Sequence, residues 1–122
     1  FKFKNEKKNK IILLPRNIRK SRGIDLAINA FNIFSKNHDD YCMLIAGIPL
    51  KGKYYNKCIN LIKKYDLGKQ IIFLGHQSQD DLLKLYNSSR ITLIPSTAYE
   101  GTSLSALESM SCKTPVVSTK IN

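Results

Sequence analysis

The sequence has no tryptophan and few acids. Nine Asp and Glu stand against twenty Lys and Arg, a formal net charge of +11 over 122 residues. No apolar run approaches the roughly 20 residues that a bilayer-crossing helix needs, so no membrane span is expected. The opening FKFKNEKKNK lacks the apolar core of a signal peptide and an initiator methionine, so the chain is expected to be part of a longer protein. Cysteine is sparse and odd in number. Cys42, Cys58 and Cys112 lie far apart, which gives neither a disulfide framework nor a metal-binding pair. Cys42 and Cys58 fall on apolar-patterned positions and read as buried small hydrophobes, which suits a reducing cytoplasm. The two histidines, His38 and His76, are too distant in sequence to suggest a metal site.

The basic excess has an ordinary explanation. Lys2, Lys4, Lys7, Lys8 and Lys10 against Glu6 concentrate charge at the start, and residues 1–9 read as a basic lead-in or linker. Other lysines, such as Lys57, Lys63 and Lys64, sit on helix faces. Aromatics do not interleave with the basic run as a stacking platform for single strands would need, so no nucleic-acid partner is expected. A basic surface also suits an acidic membrane. The full-length protein is left room for peripheral contact at the inner face, although no amphipathic anchor is present.

What remains is ordinary for one globular domain: 43% hydrophobic and 24% charged residues. Its apolar pattern alternates between two periods. KIILL (10–14), YCMLIAG (41–47), QIIFLG (70–75), RITLIP (90–95) and PVVST (115–119) are short apolar runs, as in strands buried on both faces of a parallel sheet. Between them, Ile24, Ala27, Ile28, Phe31 and Phe34 keep helical spacing, as do Tyr55, Cys58, Ile59, Ile62 and Tyr65, with Gly68 placed as a helix stop. Ser78 and Asp81 form a capping-box pattern ahead of Leu82, Leu85 and Tyr86, and Leu104, Leu107 and Met110 mark a last helix. The order β-α-β-α-β-α-β-α-β predicts a Rossmann-like, doubly wound α/β domain over residues 10–122.

Gly23, Gly47, Gly52, Gly75 and Gly101 all follow the carboxyl end of a predicted strand, the edge where open parallel sheets bind ligands. Three of the four arginines, Arg16, Arg19 and Arg22, share the first such loop with Lys20 and no acid. Arginine's planar fork matches phosphate oxygens, each charge-assisted contact contributing roughly 1.5–3 kcal/mol. A solvated basic turn is the plainer alternative. The fourth loop, STAYEGTS, leads into a helix whose first N–H groups, from about Thr102 to Ser105, would face the same edge with partial positive charge. An anion would fit between the two loops.

Glu100 and Glu108 flank this helix start. Facing a diphosphate directly, two carboxylates would repel it. They fit if each accepts hydrogen bonds from hydroxyls on either side of the phosphates, as a sugar and a ribose would offer. A capping glutamate with a surface glutamate is the plainer reading.

The stretch YEGTSLSALESMSCKTPVVST, with its two glutamates eight positions apart, resembles the signature of the group 1 glycosyltransferases, a retaining family of GT-B architecture. LPRNIRKSRGIDLAINAF resembles that family's first loop and helix. IIFLGHQSQDDLLKLYNSSRITLIPS resembles its third and fourth strands. The resemblance covers nearly all of residues 10–119 and implies a C-terminal, donor-binding domain. It implies that Arg16 and Arg22 hold the donor diphosphate, that Glu100 touches the transferred sugar and that Glu108 touches the ribose. Backbone at Gly101, Thr102, Ser103 and Leu104 would line the sugar and phosphates, and Gly75, His76 and Gln77 would lie against the base. A nucleotide-sugar donor and an acceptor-binding domain outside this chain are the implied partners, with no cofactor or metal ion. The chain alone is expected not to catalyse transfer. A non-catalytic nucleotide- or phosphate-binding module of the same fold is the alternative.

Three positions depart from the family pattern. Arg22 stands where lysine is usual, and Thr102 where an aromatic residue is common. Lys113 replaces a glycine at a helix end, and a left-handed conformation there would cost the lysine roughly 1–2 kcal/mol.

Overall fold

The computed structural model describes residues 8–98 and 104–119. Five strands form one parallel sheet: β1 (Ile11–Leu14), β2 (Cys42–Ala46), β3 (Ile71–Gly75), β4 (Ile91–Ile94) and β5 (Val116–Ser118). Their spatial order is β3-β2-β1-β4-β5. Helices α1 (Ile24–Phe34), α2 (Lys53–Lys64), α3 (Gln79–Ser88) and α4 (Leu104–Ser111) make the four crossovers. A parallel pair cannot be closed by a tight turn, so each apolar run must be followed by a helix-length connection.

β1 is central, and Ile12, Leu13 and Leu14 are all buried. Successive strand side chains point to opposite faces. Ile12 and Leu14 enter a core with Met43, Ile45 and Ile71 of the sheet, Ile24, Ala27, Ile28 and Phe31 of α1, and Cys58 and Ile62 of α2. Leu13 points the other way, to the face where α3 and α4 pack together. α1 begins at Gly23, which offers no capping side chain. The Tyr54 hydroxyl supplies one from α2, accepting from the Asp25 N–H at 3.0 Å and donating to Asp25 Oδ1 at 2.7 Å.

α3 starts as expected, with Ser78 Oγ accepting from the Asp81 N–H at 3.1 Å. One helix expectation needs correction. α2 ends before Gly68: Tyr65 is its C-cap, and the left-handed residue that follows is Asp66, with φ 56°. The apolar stripe of α4 faces outward, with Leu104, Leu107 and Met110 exposed at 71%, 51% and 55%. The side facing the sheet carries Ser109, fully buried, whose hydroxyl donates to the Thr114 carbonyl at 2.8 Å and accepts from Thr92 Oγ1 of β4 at 2.8 Å. β4 presents a hydroxyl there, so a small polar residue is the one that fits. Lys113, just past α4, does adopt the left-handed conformation, with φ 59°.

The lysine excess is not all solvated surface. Lys8 donates to the carbonyls of Asn87 at 2.8 Å and Cys112 at 3.2 Å and to Thr114 Oγ1 at 2.8 Å. It thereby ties together the chain leaving α3 and the chain leaving α4, and burial lowers its pKa. Arg90, the arginine outside the first loop, donates to the Lys8 carbonyl at 3.0 Å and to the Tyr41 hydroxyl at 3.2 Å. Cys58 is fully buried and burial pushes its thiol up to about 11, whereas Cys42 and Cys112 are half-buried. All three are free thiols.

Candidate functional site

The strand order reverses between β1 and β4. Loops leaving neighbouring strands toward opposite faces part at that point and open a crevice at the sheet's carboxyl edge. The two loops that flank it are residues 15–23 after β1, which end in a 3-10 turn at Lys20–Arg22, and the segment after β4. They are fastened together by the Thr97 N–H, which donates to the Ser21 carbonyl at 2.9 Å.

Two glycines make this fastening possible. Gly23 has φ 73°, and a Cβ there would lie 1.9 Å from the Pro95 carbonyl oxygen. A Cβ on Gly47 would lie 2.1 Å from the Arg16 carbonyl oxygen. Beside the close approach to a ligand expected of them, these glycines have a structural use. They let the loops after β1, β2 and β4 close on one another, backbone to backbone.

Arg16 is buried to 8% exposure at the head of its loop. Its Nη1 donates to the Pro15 carbonyl at 2.9 Å and to Ser105 Oγ, in the first turn of α4, at 2.8 Å. The Ser105 hydroxyl in turn lies beside the phenol of Tyr86 on α3. The Tyr86 hydroxyl donates to Glu108 Oε1 at 3.3 Å, and Gln79 Nε2 donates to Glu108 Oε2 at 2.7 Å. A continuous polar path therefore runs from the arginine loop, through α4 and α3, to the second glutamate. Tyr86 is fully buried. Burial, reinforced by the Glu108 charge and opposed by the Ser105 bond, pushes its phenol up to about 12.

Arg16, Ser105 and Glu108 are brought together. Ser105 and Glu108 are three residues apart and share one face of α4. Glu108 turns that face toward α3. Arg22 closes the 3-10 turn and is half-buried. Leu104 opens α4 and is exposed. Gly75 ends β3 at the sheet edge, two strands from β1, with His76 and Gln77 after it, and Gln77 Nε2 donates to the carbonyls of Leu74 and His76. Their turn still reaches the site, because Gln79, two residues on, holds Glu108. Glu100, Gly101, Thr102 and Ser103 lie outside the described residues. Among the described residues no group of three His, Cys, Asp or Glu is placed to hold a metal ion, and no helix is long and apolar enough to cross a membrane.

Comparison with known proteins places this arrangement. The profile of the family described as glycosyl transferases group 1 matches residues 1–122. The chain belongs to that family. An uncharacterized glycosyltransferase of Methanocaldococcus jannaschii is 30% identical over 108 residues, covering 88% of this chain and 26% of that protein. The C-terminal domain of a group 1 glycosyl transferase from Francisella tularensis, LpcC, superposes with a TM-score of 0.79 at 27% identity over 91% of this chain and 58% of that one. Anabaena HepE, solved with UDP-glucose, shares the fold with a TM-score of 0.80 at 22% identity, over 90% of this chain and 29% of that one. This group 1 chain spans about a quarter or less of the curated relatives it matches, 26% of the first and 13% of an Escherichia coli mannosyltransferase.

Two residues of the path in this group 1 chain, Tyr86 and Gln79, are not singled out as site residues by the sequence, and Ser105 enters there only through its backbone N–H. Tyr86 reads there as part of an apolar stripe. The available signal is its seven-residue spacing from Gln79, which sets both on one face of α3. Nothing in the sequence states that this face meets Glu108.

Proposed function

We propose that this chain is the donor-binding part of a retaining glycosyltransferase that transfers a hexose from a nucleotide diphosphate sugar to a glycan, lipid-linked or polysaccharide acceptor. The observation that carries the reading is the polar path at the strand-order reversal, with a buried arginine at one end and a half-buried carboxylate at the other. A diphosphate needs cationic donors, and a ribose needs acceptors for its hydroxyls. In this reading Arg16 and Arg22 hold the diphosphate and offset the charge that develops as it leaves. Glu108 accepts from the ribose hydroxyls, Glu100 from hydroxyls of the transferred sugar. Backbone from Gly101 to Leu104 lines the phosphates, and Gly75, His76 and Gln77 flank the base. The protein in this reading works in the cytoplasm, with room for contact at the inner membrane face. It needs no metal ion, and its acceptor binds a second domain. The bound UDP-glucose of HepE supports the choice of donor class.

The test is a transfer assay on the full-length protein with UDP-, GDP- and ADP-sugars, with and without EDTA. One donor should be turned over with retained anomeric configuration and be indifferent to EDTA. Arg16→Ala should lower kcat/KM by about a hundredfold or more, the order expected for losing a group that stabilises developing charge, and Glu100→Ala should lower it through the lost hold on the transferred sugar. Nucleotide binding without turnover, unaltered by Glu100→Ala, would instead make the chain a binding module.

A further inference from the structure

Tyr86 is a buried ionisable group to which the reading above gives no task. A fully buried tyrosine must satisfy its hydroxyl, and phenylalanine would fill the same space without that demand. Here the hydroxyl meets two partners, Ser105 and Glu108, both on the facing side of α4. Arg16 Nη1 donates to Ser105 Oγ, Ser105 lies beside the Tyr86 phenol, and Tyr86 donates to Glu108 Oε1. Polar groups linked in this way polarise one another.

An ionised carboxylate has two oxygens, each with about two lone-pair sites, and no proton to give. Tyr86 occupies one site on Oε1 and Gln79 one on Oε2. Among the described residues that leaves a further site on each oxygen, and two partners on different oxygens fix the plane of the group. Two adjacent hydroxyls are the partner that such an edge fits. A single hydroxyl would use half of it.

We infer that Tyr86 is a positioning residue that, with Gln79, holds the Glu108 carboxylate edge-on for a vicinal diol and makes the site select ribose over 2′-deoxyribose. The inference rests on the donor-binding reading above. Tyr86 touches no substrate atom. It acts through Glu108, and through Ser105 it joins the diol site to the arginine that receives the diphosphate. Gln79 is exposed and can swing away, whereas buried Tyr86 cannot, so Tyr86 carries the larger share of the selection.

The test is calorimetric titration of the full-length protein with UDP, GDP and ADP, then with the 2′-deoxy form of whichever binds. Wild type should prefer the ribose form by about tenfold or more, the worth of one hydrogen bond to a charged group. Glu108→Ala should abolish the preference. Tyr86→Phe should cut it by about fivefold, acting on the ribose form while the 2′-deoxy form keeps its affinity. A purely structural tyrosine would weaken both forms alike. If Tyr86→Phe does not fold, Gln79→Ala at the exposed site should still lower the preference, by about two- to threefold. A wild-type preference retained unchanged in Tyr86→Phe, or in Gln79→Ala where only that variant folds, overturns the inference and leaves the donor reading standing. Wild type binding none of the three nucleotides overturns both.

Discussion

The closure of the site loops can be tested with three alanine substitutions that separate two costs. At Gly23 both apply. Its φ of 73° places an L-residue in the left-handed region, a cost of roughly 1–2 kcal/mol. Its added Cβ would also lie 1.9 Å from the Pro95 carbonyl oxygen, a backbone atom that cannot rotate aside. At Gly47 only the second cost applies, through the Arg16 carbonyl at 2.1 Å. At Gly68 neither applies, since a Cβ there would meet nothing within 4 Å. Forcing an extra methyl into packed structure costs about 1–3 kcal/mol. Gly23→Ala should therefore destabilise by about 2–5 kcal/mol and Gly47→Ala by about 1–3 kcal/mol. Gly68→Ala should be neutral, or stabilising by up to about 1 kcal/mol through the unfolded chain. Urea unfolding followed by far-UV circular dichroism gives the ranking. Nucleotide affinity should fall with it at positions 23 and 47, because both substitutions push on the loop that carries Arg16. If Gly23→Ala unfolds within about 0.5 kcal/mol of Gly68→Ala, the loops are not held backbone to backbone as described.

Two further outcomes follow from single contacts. Lys113→Gly relieves a left-handed lysine worth roughly 1–2 kcal/mol, and the freer unfolded chain returns about half of that, so a net gain near 0.5–1 kcal/mol should appear in the same unfolding assay. Asp25 has its pKa lowered: burial works against the shift, and the hydrogen bonds from Tyr54 and Lys57 outweigh it. The unfolded state then takes up protons first as pH falls. The stabilisation is complete above the ordinary carboxylate range near pH 4 and is lost as pH drops through the lower folded value. The stability difference between wild type and Asp25→Asn should shrink over that acid window in pH-dependent unfolding. A difference that stays constant there would mean that Asp25 titrates normally.

The five strands were legible because each is a short apolar run, and β1 is buried on both faces, which leaves no polar position to confuse the pattern. The arginine loop and Glu108 stood out as candidates because arginine and acid are rare in this chain, and rarity makes placement informative. The orientation of α4 was not legible. Leu104, Leu107 and Met110 are spaced like a buried stripe, yet the sheet side is set by Thr92 on β4, whose hydroxyl calls for Ser109. Gly68 misled in the same way. Propensity favours glycine after a helix, but Asp66 takes the left-handed position two residues earlier, since aspartate tolerates it better than most residues do. Lys8 looked like one more solvated charge. Only the folded chain brings the carbonyls of Asn87 and Cys112 to within its reach.

The nature of the groups around Glu108 gives the site its direction. Among the described residues, its carboxylate is held by an amide and a phenol, both neutral donors. A carboxylate paired with a guanidinium through two charge-assisted bonds would have its accepting edge occupied, and a hydroxyl ligand would have to displace the cation. Neutral donors orient the group and leave its charge uncompensated, so its remaining lone pairs are strong acceptors. Ser105 and Tyr86 stand as two hydroxyls between Glu108 and Arg16. Ser105 accepts from Arg16 Nη1 and Tyr86 donates to Glu108 Oε1, so each end meets a neutral hydroxyl and the opposite charges are not paired with each other. A ligand that is anionic at one end and rich in hydroxyls at the other can then meet the two groups separately. In the donor-binding reading, that division explains how a basic chain with nine acids would use one of them beside an anion site without repelling the anion.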